Sequence, residues 1–414
     1  IENLEKIKII HEKLPNLDVI IVANAGKSGD HLIDLWTSLE SSSDKFTPLR
    51  TRAEDPSFIS YTSGTTGPPK GALHAHRTML GHLPGVEVPH EFFPKKGDLM
   101  WTPADWAWIG GLMNCLMASW YHGVPVLAHR EQKYDPERAI HLMARHQVRN
   151  SFMPPTALKL MRQIDKPAKQ YGVNLRTVAC AGEPMGKELL EWGREALGIT
   201  LNEFYGQTEC NLVTSNCSLL MEVRPGSMGR AVPGHTVDII DSEGNVLNAY
   251  EEGHIAVKSP DPVMFLNYWN NPKATYDKYK GKWLLTGDRG TKDKDGYFWF
   301  LGREDDVITS AGYRIGPGEI EDCIVSHPAV SLAAVIGIPD PLRTEKIKAY
   351  IILRPNQNGD NDLKKEILDF VSRQLSPHEK PRDLEFVEQL PMTTTGKIKR
   401  KELRDAEIKR QLIS

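Results

Sequence analysis

The stretch Tyr61-Thr62-Ser63-Gly64-Thr65-Thr66-Gly67-Pro68-Pro69-Lys70-Gly71 places three glycines, four serine or threonine hydroxyls, two prolines and one lysine within eleven residues, just after the apolar pair Phe58-Ile59. Glycines let backbone N–H groups come close to an anion and turn through positive φ. The hydroxyls add donors, and Lys70 adds a mobile positive charge suited to the outer phosphates of a nucleotide. The spacing is not that of the strand–helix phosphate loop, in which lysine follows glycine and precedes serine or threonine. Here Pro69 precedes Lys70 and Gly71 follows it. Composition alone also fits a solvated Gly/Pro/Thr turn, but a plain linker has no need to gather so many anion donors around one lysine.

Five further short motifs follow: Ala181-Gly182-Glu183-Pro184, Tyr205-Gly206-Gln207-Thr208-Glu209, Thr286-Gly287-Asp288, Gly302-Arg303-Glu304-Asp305-Asp306 and Thr395-Gly396-Lys397-Ile398. Six motifs in this order and at these separations, from about residue 15 onward, make the chain resemble the adenylate-forming enzymes: acyl-CoA synthetases, luciferases and peptide-synthetase adenylation domains. The YGQTE motif and Ser310-Ala311-Gly312-Tyr313-Arg314-Ile315-Gly316 point to the medium-chain and acetyl-type acyl-CoA synthetases. The implied fold is α/β: a large N-terminal AMP-binding domain over 1–302, with a β-barrel-like subdomain, and a small α+β lid over 303–414. Family members carry a long opening segment before the residue matching Ile1. The resemblance therefore implies that this chain enters its first domain partway, either because that part was not observed or because the chain is a fragment.

The implied reaction joins a carboxylic acid to the α-phosphate of ATP, releasing pyrophosphate, then passes the acyl group to the thiol of CoA as AMP leaves. The protein must align two anions, screen their repulsion and stabilise charge at phosphorus. By the resemblance, Thr62, Ser63, Gly64, Thr65, Thr66, Gly67 and Lys70 hold the β- and γ-phosphates. Thr208 bonds the α-phosphate, and Glu209 binds Mg2+, a hard cation that prefers carboxylate oxygen. Gly182, Glu183 and Pro184, with Asn202, Glu203, Phe204, Tyr205, Gly206 and Gln207, line the nucleotide, Tyr205 stacking on adenine. Asp288 takes the ribose hydroxyls with Arg303 as its partner. An isolated Thr-Gly-Asp also reads as a turn; its place fifteen residues before Arg303 gives it weight.

Lys397 follows a glycine in a threonine-rich loop and would bridge the substrate carboxylate and the α-phosphate. Without the family context it is one cation among Lys399, Arg400, Lys401 and Arg404 on a basic helix. Asp305 matches the hinge of the lid. Ala311, Gly312, Tyr313 and Arg314 match the channel for the pantetheine arm, and Arg343 and Lys380 match CoA contacts, although both also read as ordinary surface charges. Trp106, Gly110, Gly206 and Asn211 are assigned to the acyl pocket; a plain core is the alternative for the tryptophan cluster. Acetate-specific relatives carry tryptophan in place of Gly206, so glycine implies longer acids and Gly206→Trp is expected to shift preference toward acetate or propionate. Asn211, where relatives commonly have glycine, is bulkier and polar, and would shorten the cavity or suit a functionalised acid. His74 and His76 read as packing residues, since the reaction needs no histidine. The alternatives to an acyl-CoA synthetase are a ligase that loads a carrier protein and an inactive nucleotide-binding fragment.

The 414 residues exceed what one core supports, so at least two domains are expected. A net charge of −3 gives no sign of a nucleic-acid partner. The five cysteines, Cys115, Cys180, Cys210, Cys217 and Cys323, form no CxxC pair and read as reduced thiols of a cytoplasmic protein. No apolar run reaches membrane-spanning length, no secretory signal is visible, and nothing specifies an oligomeric state. Asp135-Pro136-Glu137 predicts a helix start. Strands near 149–153 and 175–179 alternating with helices predict parallel pairing, and from Val237 short alternating strands predict an antiparallel subdomain. A helix from Thr78 is expected to stop near Pro84-Gly85, and residues 24–55 to form a polar excursion.

Overall fold

The computed structural model describes residues 4–11, 13–26, 29, 31–62, 69–131, 134–304, 306–311, 313–392 and 398–413, with the side chains of Arg314 and 411–413 left aside. Ile1–Arg52 forms one compact unit and Ala53–Ser414 another. In the first, helix Leu4–His11 precedes a parallel pair, Ile20–Val22 with Leu32–Asp34. Helix Leu35–Ser41 lies where composition suggests only a loop. Asp34 starts it: its carboxylate accepts from the Thr37 amide at 3.0 Å, satisfying a donor that the first helical turn leaves unpaired.

The second unit is built on a six-stranded sheet ordered Met100–Trp101, Asn150–Met153, Thr177–Cys180, Asn202–Gln207, Asn211–Ser215, Arg230–Ala231. The first four strands are parallel and the last two pairings antiparallel. Every residue of Asn150–Met153 and Thr177–Cys180 is buried, as in parallel strands covered on both faces. Helices Pro136–His146, Pro155–Met161 and 187–197 supply Ile140, Met143, Leu158, Met161, Leu189 and Leu190 to the core over Val178 and Leu201. The Asp135 carboxylate accepts from the amides of Glu137 and Arg138 at 3.0 and 3.1 Å, a cap worth about 1 kcal/mol.

Helix Arg77–Glu87 does not stop at Pro84 but runs one turn beyond it. The carbonyl that Pro84 leaves without its helical donor belongs to Leu80, an exposed residue, so the helix tolerates the proline. Gly85 instead permits close packing: a Cβ there would lie 2.6 Å from Leu212 Cβ.

Strands Pro56–Tyr61 and Gly71–Ala75 form an antiparallel hairpin extended by Asn267–Tyr268. The glycine-rich stretch is therefore a hairpin connection, not a strand-to-helix turn, which explains why its spacing departs from the strand–helix motif. Val237–Ile240, Gly253–Lys258, Trp283–Lys292, Tyr279–Lys280 and Phe298–Arg303 form the antiparallel sheet that the sequence predicts. Beyond residue 303 a separate five-stranded sheet packs with helices Pro317–Val325 and Asn361–Gln374 around Ile320, Ile324, Ile351, Ile367 and Val371. Among the described residues no helix is long and apolar enough to cross a membrane.

Candidate active site

A cavity of about 740 Å³ opens where the parallel strands end, the usual ligand position in open α/β sheets. Strand Thr177–Cys180 runs directly into Ala181-Gly182-Glu183-Pro184, and Asn202–Gln207 into Thr208-Glu209. Both segments line the cavity, as do Thr62 and Lys70 from the hairpin and Asp288, Gly302 and Arg303 from the antiparallel sheet. All six motifs thus have described residues at one site, the sixth through Ile398. Ser63, Gly64, Thr65, Thr66 and Gly67 lie outside the described residues, as do Asp305, Gly312 and Lys397.

The base of the glycine-rich connection is closed by the Thr62 amide donating to the Lys70 carbonyl at 2.9 Å. The Lys70 ammonium lies 5.1 Å from the Tyr268 ring centroid, within cation–π range. Tyr268, whose hydroxyl donates to Glu209 Oε1, carries no motif in its own neighbourhood. It reaches the site because it pairs with Ala72 across the hairpin, a long-range contact without local signature. Burial, followed by the Glu209 charge, holds the Tyr268 phenol protonated far above its ordinary range. Glu209 is 8% exposed, so its carboxylate is held at the cavity wall with one oxygen tied.

Asp288 and Arg303 are direct partners across two strands, and Arg303 Nη1 lies 3.2 Å from Asp288 Oδ1. The Tyr205 hydroxyl donates to Asp288 Oδ2 at 2.5 Å, linking two motifs read separately from sequence. Gln207 Nε2 donates to the Thr286 carbonyl at 3.0 Å and its Oε1 accepts from Lys278 at 3.0 Å; Lys278 is a cavity cation that sequence reasoning missed. Asn202 does not line the cavity. It is wholly buried, its Nδ2 donating to the Pro89 carbonyl at 2.9 Å and its Oδ1 accepting from Ser218 N at 3.0 Å; its amide is spent holding the strand.

Glu203 does line the cavity, 4% exposed, with Oε2 lacking a hydrogen-bond partner. Burial, reinforced by Asp322, raises its carboxyl to about 8, against smaller opposing effects of the Met185 amide and Lys159. At neutral pH it is therefore a neutral acid able to donate. Between its unfolded value near 4.5 and about 8 the folded chain holds one proton more than the unfolded chain, so this residue makes stability fall as pH rises. Glu203→Gln should remove that slope, about 1.4 kcal/mol per pH unit for one proton. Unfolding of both proteins followed from pH 5 to 8 is the check; parallel curves would refute it.

At the other end of the cavity lie Trp108, Gly110, Asn114, Phe152, Asn211 and Leu212. Trp106 is half-buried but is not among the lining residues; Trp108 takes that place, its ring 5.6 Å from Phe152 and covering Gly110, where a Cβ would meet it at 2.9 Å. The two tryptophans sit in one short aromatic run, and only the turn closed by Trp108 N and the Asp105 carbonyl decides which faces inward. Gly206 lines the cavity, yet a Cβ built on it would stand 1.3 Å from the Asn211 carbonyl oxygen. Any side chain there collides with the adjoining strand instead of entering the pocket. His74 is buried and stacked on Phe58 at 4.7 Å; burial lowers it to about 4, against the Glu209 charge, so it is neutral packing.

From the C-terminal sheet and helices, Glu321, Asp322, Ile398 and Arg400 face the cavity. Arg400 binds Glu321 through Nη2 at 2.7 and 2.9 Å and lies 3.6 Å from Asp306, which Arg404 contacts at 2.8 Å. The segment matched to CoA is elsewhere: Ala311, Tyr313, Arg343 and Lys380 are not lining residues. They are partly assembled nonetheless, the Ala311 amide donating to the Arg343 carbonyl at 2.9 Å and Tyr313 stacking on His378 at 4.2 Å. For Arg314 only the backbone is described.

Residues 2–269 match the family model of the AMP-binding enzymes, and 319–397 that of the AMP-binding enzyme C-terminal domain. The chain is 36% identical over 413 residues to the mitochondrial acyl-coenzyme A synthetase ACSM3 of Rattus norvegicus, covering 97% of this chain and 69% of that protein. It is 36% identical over 414 residues to the acetyl-coenzyme A synthetase of Bacillus subtilis, covering 98% and 71%. Among solved structures, the anthranilate CoA ligase AuaEII in complex with anthranoyl-AMP aligns at a TM-score of 0.89 with 31% identity, over 98% of this chain and 76% of that one. ATP-bound MatB from Rhodopseudomonas palustris aligns at 0.80 with 28% identity, over 90% and 72%. The chain belongs to the AMP-binding enzymes. Within them it is of the acyl-CoA synthetase type, an AMP-forming acid–thiol ligase.

Proposed function

We propose that this ligase activates a short- to medium-chain carboxylic acid, with the nucleotide and acid held at the two ends of the cavity just described. The observation that carries the reading is the convergence on one cavity of Lys70, Thr208, Glu209 and the Tyr205–Asp288–Arg303 group. In it the phosphate hairpin holds the β- and γ-phosphates, Thr208 the α-phosphate and Asp288 the ribose hydroxyls. Gly182 to Pro184 and Glu203 to Gln207 flank the base.

Glu209 suits Mg2+: a carboxylate at the cavity wall, beside the expected phosphates, is the kind of single protein ligand this ion accepts when substrate oxygens complete its shell. Among the described residues no cluster of three acidic, histidine or cysteine side chains forms a cage for a metal by itself. When bound, the ion neutralises phosphate charge; Tyr268 meanwhile fixes the carboxylate's orientation. We place the domain boundary at 303, beside the hinge residue Asp305. Lys397 acts in adenylation, and the Ala311–Tyr313 hairpin, with Gly312, Arg314, Arg343 and Lys380, serves the CoA step. The five buried, unpaired cysteines favour a reducing compartment, and the cytoplasm is the one proposed.

Following AMP and pyrophosphate release over a panel of acids, with and without CoA, tests the reading. AMP that accumulates only when ATP, acid and CoA are all present is the expected result. No acid-dependent pyrophosphate under any condition would overturn it.

A further inference from the structure

Lys278 is a half-buried cation on the cavity wall that belongs to none of the six motifs. It closes helix Pro272–Asp277. Its carbonyl accepts from the Leu285 amide at 2.8 Å, which ties its backbone beside strand Trp283–Lys292. From there its ammonium donates to Gln207 Oε1 at 3.0 Å and to the Thr286 carbonyl at 3.1 Å. Gln207 Nε2 donates to the same carbonyl at 3.0 Å. A carboxamide fits a site either way round until its neighbours decide. Here a group that can only donate stands on one side and a group that can only accept on the other. Lys278 therefore locks the amide in one orientation; turned over, its NH2 would face the ammonium and its oxygen the carbonyl.

The carbonyl they share opens the Thr286-Gly287-Asp288 turn. Thr286 is wholly buried, its Oγ1 donating to the Ile255 carbonyl at 2.7 Å and accepting from the Asp288 amide at 3.2 Å. Gly287 takes φ +79°, and its carbonyl accepts from the Glu304 amide at 2.9 Å. Main-chain partners thus hold the turn on those sides, while two side chains, Lys278 and Gln207, hold it at the Thr286 carbonyl. We infer that Lys278 is a positioning residue for the nucleotide: by fixing Gln207 and the Thr286 carbonyl, it sets the direction in which the turn presents the Asp288 carboxylate. This rests on the reading that Asp288 takes the ribose hydroxyls, and it adds to that reading a residue that acts through Asp288 instead of touching the nucleotide.

The experiment measures, by calorimetry in the presence of Mg2+, the binding of ATP, 2′-deoxy-ATP and 3′-deoxy-ATP to the unaltered chain and to Lys278→Met, which keeps the length and removes the donors. Lys278→Ala repeats the comparison, and thermal unfolding without nucleotide shows whether each variant is folded. The unaltered chain should bind ATP about tenfold or more tightly than at least one deoxy nucleotide, the scale of a lost hydrogen bond to a charged group. In both variants ATP binding should weaken toward that of the deoxy nucleotides, so that the ratio falls toward one, while the KM for the acid in pyrophosphate release stays unchanged. A loss shared equally by all three nucleotides, as a missing positive charge near the phosphates would give, would overturn the inference, and so would an unchanged ratio. Failure of both variants to fold would make Lys278 a structural residue and overturn it too. Equal binding of the three nucleotides by the unaltered chain would instead bring down the ribose role of Asp288, and no binding of ATP at all the ligase reading itself.

Discussion

Gly206→Trp, and equally Gly206→Ala, loses acid-dependent activity with every acid and unfolds at lower temperature, without any shift of preference toward acetate. The sequence reading expects the opposite for tryptophan: a plug that shortens the pocket. The structure corrects that expectation. Gly206 pairs with Leu212 just after a register shift at Tyr205, and its missing Cβ would occupy the place of the Asn211 carbonyl oxygen, 1.3 Å away. Glycine at such a bulge is a backbone requirement. Restoring room means parting the strand that carries Asn211 from the strand that carries Tyr205, and we expect destabilisation beyond about 4 kcal/mol, the range of severe core defects. Thermal unfolding of both variants, with activity on acetate and longer acids, is the check. A stable Gly206→Trp enzyme with an acetate preference would refute the backbone account.

Lys397→Ala abolishes acid-dependent ATP–pyrophosphate exchange while sparing thioester formation from supplied acyl-adenylate. A cation that bridges two anions as they meet is needed in the first step alone, and losing one such group costs about 10² to 10³ in rate. Lys397 lies outside the described residues, but its neighbours on the C-terminal side, Ile398 and Arg400, line the cavity, and Arg400 is fixed by Glu321. Equal loss of both half-reactions would refute the role.

The parallel sheet was legible because its helices and strands carry strong local signals: the Asp135 cap, the apolar faces and the short buried runs. The end of the cavity where the motifs gather was legible because most of them lie in or beside strands and bring their own side chains. The acyl end was not, because there the outcome depends on how strands and turns meet. Trp106 and Trp108 differ only by which side of one turn they fall on, and Gly206 differs from an ordinary pocket glycine only by the strand beside it. Pro84 misled for a related reason: a proline breaks a helix only where the carbonyl it orphans cannot find another partner, and that depends on exposure. Tyr268 and Lys278 were invisible since neither sits in a recognisable pattern.

The third strand of the phosphate hairpin, Asn267–Tyr268, is contributed from far along the chain. A growing polypeptide on the ribosome therefore exposes the glycine-rich connection long before the tyrosine that orients Glu209 has been synthesised. On the proposed roles of these residues, nucleotide capture is expected only once most of the chain's first three hundred residues have emerged, and a chain stopped short of residue 268 is expected not to retain ATP even with the glycine-rich stretch complete.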